Sequence, residues 1–133
     1  MFLYHLPESL IEPFLDLAYT LISADGKITE EEQSNFSLYA VELNMEQLPK
    51  CKNVNYENEL RKFTKLSPSV KKELYFELIA LAYADSEYEE NERKLLDVVK
   101  TKFAITDSDA QKIEDIVIKL INIYNILGSV INE

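Results

Sequence analysis

The chain has 133 residues, of which 47% are hydrophobic, and this is enough to form one domain with its own core. A single Cys and a single His exclude an intrachain disulfide, a Cys-based zinc site and a multi-His metal site. With 24 acidic against 14 basic residues, the net charge of −10 disfavours nucleic acid and anionic lipid surfaces as partners.

The composition favours an all-α fold, because the chain has only two Gly and four Pro and is rich in residues that favour helices. It contains no uninterrupted apolar stretch of the roughly 18 residues that a membrane span needs. Its N-terminus lacks the basic and apolar regions of a secretory signal. We therefore expect a cytoplasmic protein with no membrane insertion.

The first half of the chain carries the patterns of three helices. Apolar residues at helical spacing before the turn at Asp25 predict helix one; they are Leu10, Phe14, Leu17 and Leu21. Thr29 is a favourable N-cap for helix two. The predicted buried face of helix two consists of Phe36, Tyr39, Ala40 and Leu43. After a loop, a short helix three is predicted from Tyr56, Leu60 and Phe63.

The second half carries the patterns of three more helices. Ser67 and Pro68 are a favourable N-cap and first position for helix four, which we predict at about 68–84. The apolar residues that predict helix five are Leu95, Leu96, Val99 and Phe103. Thr106 or Asp107 is expected to cap helix six, and Gly128 is placed to end it.

An internal repeat relates the two halves. The stretch LAYTLISADGKITEEEQSNFSLY, from Leu17, aligns without gaps with ELIALAYADSEYEENERKLLDVV, from Glu77. The aligned pairs include Asp25 with Asp85, Glu30 with Glu90, Glu32 with Glu92 and Leu21 with Leu81. Because acidic and apolar positions keep the same register, we interpret the chain as one domain built by duplication of two three-helix repeats. The repeats span about residues 8–66 and 67–128.

The motif in these stretches resembles that of the TerB-like domains, which are related to tellurite-resistance proteins. An ADG turn is followed by a Glu seven residues past its Asp in ADGKITEEE, and more loosely in ADSEYEENE, where Ser86 replaces the Gly. The resemblance covers about residues 10–103. It implies an all-helical duplication whose acidic turns bind a divalent cation, and a non-enzymatic role in stress response through protein contacts.

The first acidic turn also looks like the back half of a calcium-binding EF-hand loop. An EF-hand needs further oxygen ligands four and two residues before the Asp of this turn. Those positions hold Leu21 and Ser23 in the first half, and Leu81 and Tyr83 in the second. Neither half can therefore form a complete EF-hand.

The two halves could instead form one site together. If the turns face each other, four carboxylates would surround one or two cations; they are those of Asp25, Glu32, Asp85 and Glu92. A site of oxygen ligands alone favours Ca²⁺, Mg²⁺ or Mn²⁺ over zinc. Without a cation, mutual repulsion would leave some of these carboxyl groups protonated at neutral pH.

Helix capping offers a different explanation for the same residues. Thr29 and Glu32 have the spacing of a capping box, in which Glu32 bonds to the backbone amide of Thr29. In the second half, Glu89 replaces the Thr and is expected to remove the box, although Glu92 remains. If capping is their only role, the chain is a protein-interaction scaffold without a metal.

Enzymatic activity is the weakest hypothesis. A metal-dependent hydrolase could use the four carboxylates, but no His or Lys is positioned in the sequence for acid–base chemistry beside them. Cys51 lies between two lysines, which are expected to lower the pKa of its thiol, yet no His is near it in the sequence.

The C-terminal stretch IEDIVIKLINIYNILGSVI is apolar on most of its surface. The expected core stripe is Ile113, Ile116, Val117, Leu120, Tyr124 and Leu127, and further apolar residues are Ile118, Ile121, Ile123 and Ile126. Either this helix is central and wrapped by the others, or its outer face contacts another chain. Because a domain of this size can rarely surround a helix, we predict a homodimer through the C-terminal helix.

Overall fold

A computed structural model of the chain describes residues 1–24, 26–84 and 89–132, and these residues form helices with no strand among them. Two 3₁₀ turns, Leu3–His5 and Glu8–Leu10, come first. The α-helices are α1 (Ile11–Ile22), α2 (Glu30–Glu42), α3 (Tyr56–Glu59, continued by the 3₁₀ turn Leu60–Phe63), α4 (Pro68–Ala82), α5 (Glu90–Lys102) and α6 (Asp107–Ile131). The predicted all-α fold is confirmed.

Side-chain caps set the starts of three helices where the sequence predicts them. The hydroxyl oxygen of Thr29 accepts a hydrogen bond from the amide of residue 32 at 3.1 Å. Ser67 and Thr106 accept equivalent bonds at 3.2 and 3.1 Å at the starts of α4 and α6. These bonds satisfy amides that have no partner inside the helix.

Two predicted helix ends are wrong. Helix four ends at Ala82, two residues before the predicted position. Gly128 does not end α6, which continues to Ile131, and the amide of Asn132 still donates to the carbonyl of Gly128 at 3.0 Å. A glycine ends a helix when it adopts a left-handed conformation, and Gly128 has no positive φ.

The core lies between α1 and α4, which pack against each other and contribute nearly half of the buried apolar side chains. Fully buried residues of these two helices include Phe14, Leu17, Leu21, Leu74, Leu78 and Leu81. Helix α5 contacts α1 and α4, and α2 contacts α4 and α1. The short α3 segment packs on α5.

The first two helices of each half correspond in position. Both ends of α5 lie sixty residues after those of α2, and α4 ends sixty residues after α1. Their contacts are also equivalent. The first helix of each half packs on the second helix of the other half, α1 on α5 and α4 on α2. The third helices differ, since the α3 segment is short and α6 has 25 residues. Duplication of a three-helix unit therefore stays a prediction.

Candidate functional site

The four predicted metal ligands are described only in part. Glu32 and Glu92 lie in the first turns of α2 and α5, and both are buried. Asp25 and Asp85 lie outside the residues that the structure describes. The relative positions of the four carboxyl groups therefore stay a prediction.

Glu32 belongs to the predicted capping box of α2. Its side chain is 3% exposed, and its Oε1 accepts a hydrogen bond from the amide of Thr29 at 3.0 Å. Together with the reciprocal bond to the Thr29 hydroxyl, this interaction satisfies two backbone amides at the start of the helix.

Glu92 occupies the same place in α5. It is also 3% exposed, and its Oε1 accepts from the amide of Glu89 at 3.3 Å. The side chain of Glu89 accepts in turn from the backbone of Glu92, so a capping box is present. The expectation that Glu89 removes the box is wrong. A carboxylate oxygen can accept this bond as a hydroxyl does, and the positive end of the helix favours its charge.

The described flanks of the two acidic turns lie close to each other. The side-chain amide of Asn91, next to Glu92, donates to the carbonyl of Ala24 at 3.3 Å. Ala84, directly before the second turn, and Asn35 of α2 both line one groove. The hydrogen bond of Asn91 is the contact that joins the flanks of the two turns.

The described residues alone do not form a metal site. Among residues 1–24, 26–84 and 89–132, no three His, Cys, Asp or Glu side chains are grouped so that they could hold an ion. Since two of the four predicted ligands lie outside these ranges, this result does not test the shared site.

Sequence reasoning missed a pair of carboxylates that holds the N-terminal segment. Glu77 is 5% exposed, and its Oε1 lies 2.8 Å from both the Met1 ammonium nitrogen and the amide nitrogen of Phe2. Glu42 contacts the same ammonium group and accepts from the amide of Leu3 at 3.1 Å. The sequence feature that could have indicated this contact is Glu77 itself, an acidic residue on the otherwise apolar face of helix four.

These carboxylates change the protonation of their neighbours. Burial lowers the pKa of the Met1 ammonium group, but its hydrogen bonds to Glu42 and Glu77 outweigh burial and raise the pKa above 8.0. Burial, followed by the charges of the same two glutamates, also raises the pKa of Tyr39 well above its usual value.

The expectation for Cys51 is wrong. Its thiol donates to the carbonyl of Pro49 at 3.4 Å, and burial, followed by the nearby Asp16 and Glu12, raises its pKa to about 11. The adjacent lysines do not compensate for these effects. A thiol with this pKa is almost entirely protonated at neutral pH and is a poor nucleophile.

The C-terminal helix is the second candidate site. Of its 25 residues, Ala110 and Val117 are buried. Eight large apolar side chains are exposed by 39 to 68%; they are Ile116, Ile118, Ile123, Tyr124, Ile126, Leu127, Val130 and Ile131. The hypothesis of a central, wrapped helix is therefore wrong.

The predicted core stripe of this helix is also partly wrong. Ile116, Tyr124 and Leu127 are exposed, whereas Ile121, which was expected on the outer face, packs against the core. Beyond residue 121 every residue up to 132 is exposed except Gly128, which is partly buried. Packing against the core ends at Ile121, so the apolar periodicity of the remaining residues does not indicate burial.

A groove of about 510 Å³ lies between α2, α4 and the stretch of α6 from Val117 to Asn125. Its apolar lining includes Leu38, Tyr39, Phe76, Ala80, Val117, Leu120, Ile121 and Tyr124, and its polar lining includes Asn35, Glu42, Glu77 and Asn125. A mostly apolar groove with a few polar groups is typical of a binding surface.

None of the described helices combines the length and the apolar character that crossing a membrane requires.

Comparison with known proteins finds no matching family model, no matching curated protein and no matching solved structure. The resemblance to TerB-like domains therefore stays a prediction from the acidic-turn motif.

Proposed function

We propose that this chain is a non-enzymatic domain that acts through protein contacts and forms a homodimer through α6. The single observation that carries the proposal is the exposed apolar surface of α6 from Ile116 to Ile131. Eight apolar side chains in this stretch are exposed by 39 to 68%. Clustered exposed apolar side chains are typical of an interaction site.

Charge supports the same conclusion. The chain carries a net charge of −10, but the sequence from residue 120 to 132 has no acidic or basic residue. Two copies that meet through this segment therefore avoid direct contact between like charges, because the acidic residues lie elsewhere. The resemblance to TerB-like domains would place such a dimer in a stress response.

A double substitution tests the dimer. Ile118→Asp with Ile126→Asp introduces two charges into the apolar surface, and we expect a folded monomer because both side chains are exposed. Analytical ultracentrifugation gives the mass, and circular dichroism checks the fold. The matched control is Ser108→Asp with Gln111→Asp, which adds the same charge at exposed polar positions nearer the start of α6. An unchanged dimer in the first variant, or dissociation of both variants, would contradict the proposal.

A second candidate function is the binding of a divalent cation between the acidic turns. The hydrogen bond between Asn91 and Ala24 favours it, because it joins the flanks of the two turns. Asp25, Glu32, Asp85 and Glu92 would supply the oxygen ligands, with Ca²⁺, Mg²⁺ or Mn²⁺ as the ion. Glu32 and Glu92 would then serve both as caps and as ligands.

Thermal unfolding tests the cation site. An ion at about 100 times its dissociation constant adds about 2.7 kcal/mol, which should raise the melting temperature of this domain by about 10 °C. Asp25→Asn with Asp85→Asn should abolish the rise. The control, Glu30→Gln with Glu90→Gln, changes exposed acids at equivalent positions and should keep it. If all three ions at millimolar concentration leave the wild-type melting curve unchanged, the site does not exist.

A further inference from the structure

In the described part of the chain, no side chain of α6 beyond Ile121 packs against the hydrophobic core. We define the α6 tip as residues 126–131, which follow Asn125, the last α6 residue of the groove lining. The tip is helical, yet its apolar side chains, including Ile126 and Leu127, are at least half exposed. Packing of these side chains against another apolar surface would remove them from water, which favours such a contact.

The groove between α2, α4 and α6 offers such a surface. Its α2 wall contains Leu38, which is 60% exposed, and its other wall is α6 itself, from Val117 to Asn125. The groove lining on α6 thus reaches the residue directly before the tip. A twofold axis across α6 would therefore carry the tip of one copy to the groove of the other.

We propose that the α6 tip of each copy binds in the groove of its partner, so that the exchange closes a symmetric dimer. This inference rests on the proposed homodimer and specifies how the two copies meet. Glu42 lines the groove, and the tip can enter beside it without like-charge repulsion because the tip contains no acidic residue.

Substitutions on α2 separate this arrangement from a dimer through α6 alone. Leu38→Glu places a charge in the groove and should weaken dimerisation at least about tenfold in sedimentation equilibrium. The matched control is Val41→Glu, on the same helix but outside the groove lining, where the side chain is 76% exposed. The control should change the dissociation constant by less than about threefold. Equal effects of the two variants would overturn the groove assignment.

Cross-linking gives an independent test in a Cys51→Ser background, which removes the native thiol. Leu38→Cys and Ile126→Cys chains with tags of different mass are mixed and oxidised, and mass spectrometry identifies the products. We expect a disulfide between the two different chains. Products that join only Ile126→Cys chains to each other would overturn the groove assignment. A dimeric wild type with either negative result overturns this inference alone, whereas a monomeric wild type overturns the proposed homodimer as well.

Discussion

At the scale of single residues, buried carboxylates are held by backbone amides. Glu32, Glu77 and Glu92 are the buried charged residues in the described part of the chain, and each accepts a hydrogen bond from a backbone N–H group. Burial of a charge is costly unless it is paired and hydrogen-bonded. Glu77 also has a partner of opposite charge, the ammonium group of Met1.

Glu77→Ala should lower the free energy of unfolding by about 1–3 kcal/mol, because it leaves the ammonium group and the amide of Phe2 without this acceptor. Urea denaturation measures the loss. The control, Glu46→Gln, changes an exposed glutamate and should stay within about 0.5 kcal/mol of wild type. A loss from Glu77→Ala as small as that of the control would contradict this role.

The same contact predicts a pH dependence. The folded protein raises the pKa of the Met1 ammonium group above 8.0, so the protonated group stabilises the fold. Its contribution is complete below pH 8 and is lost as the pH rises through the raised pKa. The difference in unfolding free energy between wild type and Glu77→Gln should therefore shrink above pH 8. A difference that grows with pH in this range would contradict the ion pair.

At the scale of elements, α2 and α5 begin and end with the same local structures. Each begins with a capping box, and each is followed, two residues after its end, by a residue of positive φ, Asn44 at 57° and Ala104 at 54°. After α5, the amide of Ile105 donates to the carbonyl of Lys100 at 3.0 Å, and the equivalent bond after α2 is 2.8 Å. Both ends are Schellman motifs, in which glycine is the usual left-handed residue.

Ala104→Gly should raise the free energy of unfolding by about 0.5–1 kcal/mol. The left-handed conformation costs alanine about 1–2 kcal/mol, and the greater flexibility of glycine in the unfolded chain offsets part of this gain. Asn44→Gly is the matched comparison at the end of α2, and its gain should be smaller because asparagine tolerates this conformation. Chemical denaturation measures the unfolding free energies of the two variants. An Ala104→Gly variant less stable than wild type would contradict the predicted gain.

The sequence predicts those elements whose determinants are local. The Thr29 cap and the apolar spacing of helices one to five can be read from neighbouring residues, and so can the role of Glu32 in its capping box. The partners of Glu77 cannot, because they come from the N-terminal segment. The left-handed Ala104 carries no sequence signal, since glycine or asparagine is expected there.

At the scale of the whole molecule, two surfaces of opposite character dominate. The acidic turns belong to a chain of net charge −10, whereas the C-terminal part of α6 is uncharged and apolar. The sequence predicted that α6 is apolar on most of its surface, but not that core contact ends at Ile121. The position of that limit depends on where the other helices end in space. The two aspartates of the candidate cation site lie outside the described residues, so that site stays a prediction.

The central claim is that α6 makes the contact between two copies of the chain. Sedimentation equilibrium of the wild-type protein, from about 1 to 100 μM, tests it most directly. We expect the weight-average mass to reach twice that of one chain, and to fall to that of one chain in Ile118→Asp with Ile126→Asp. A wild type that keeps the mass of one chain across this range would contradict the account.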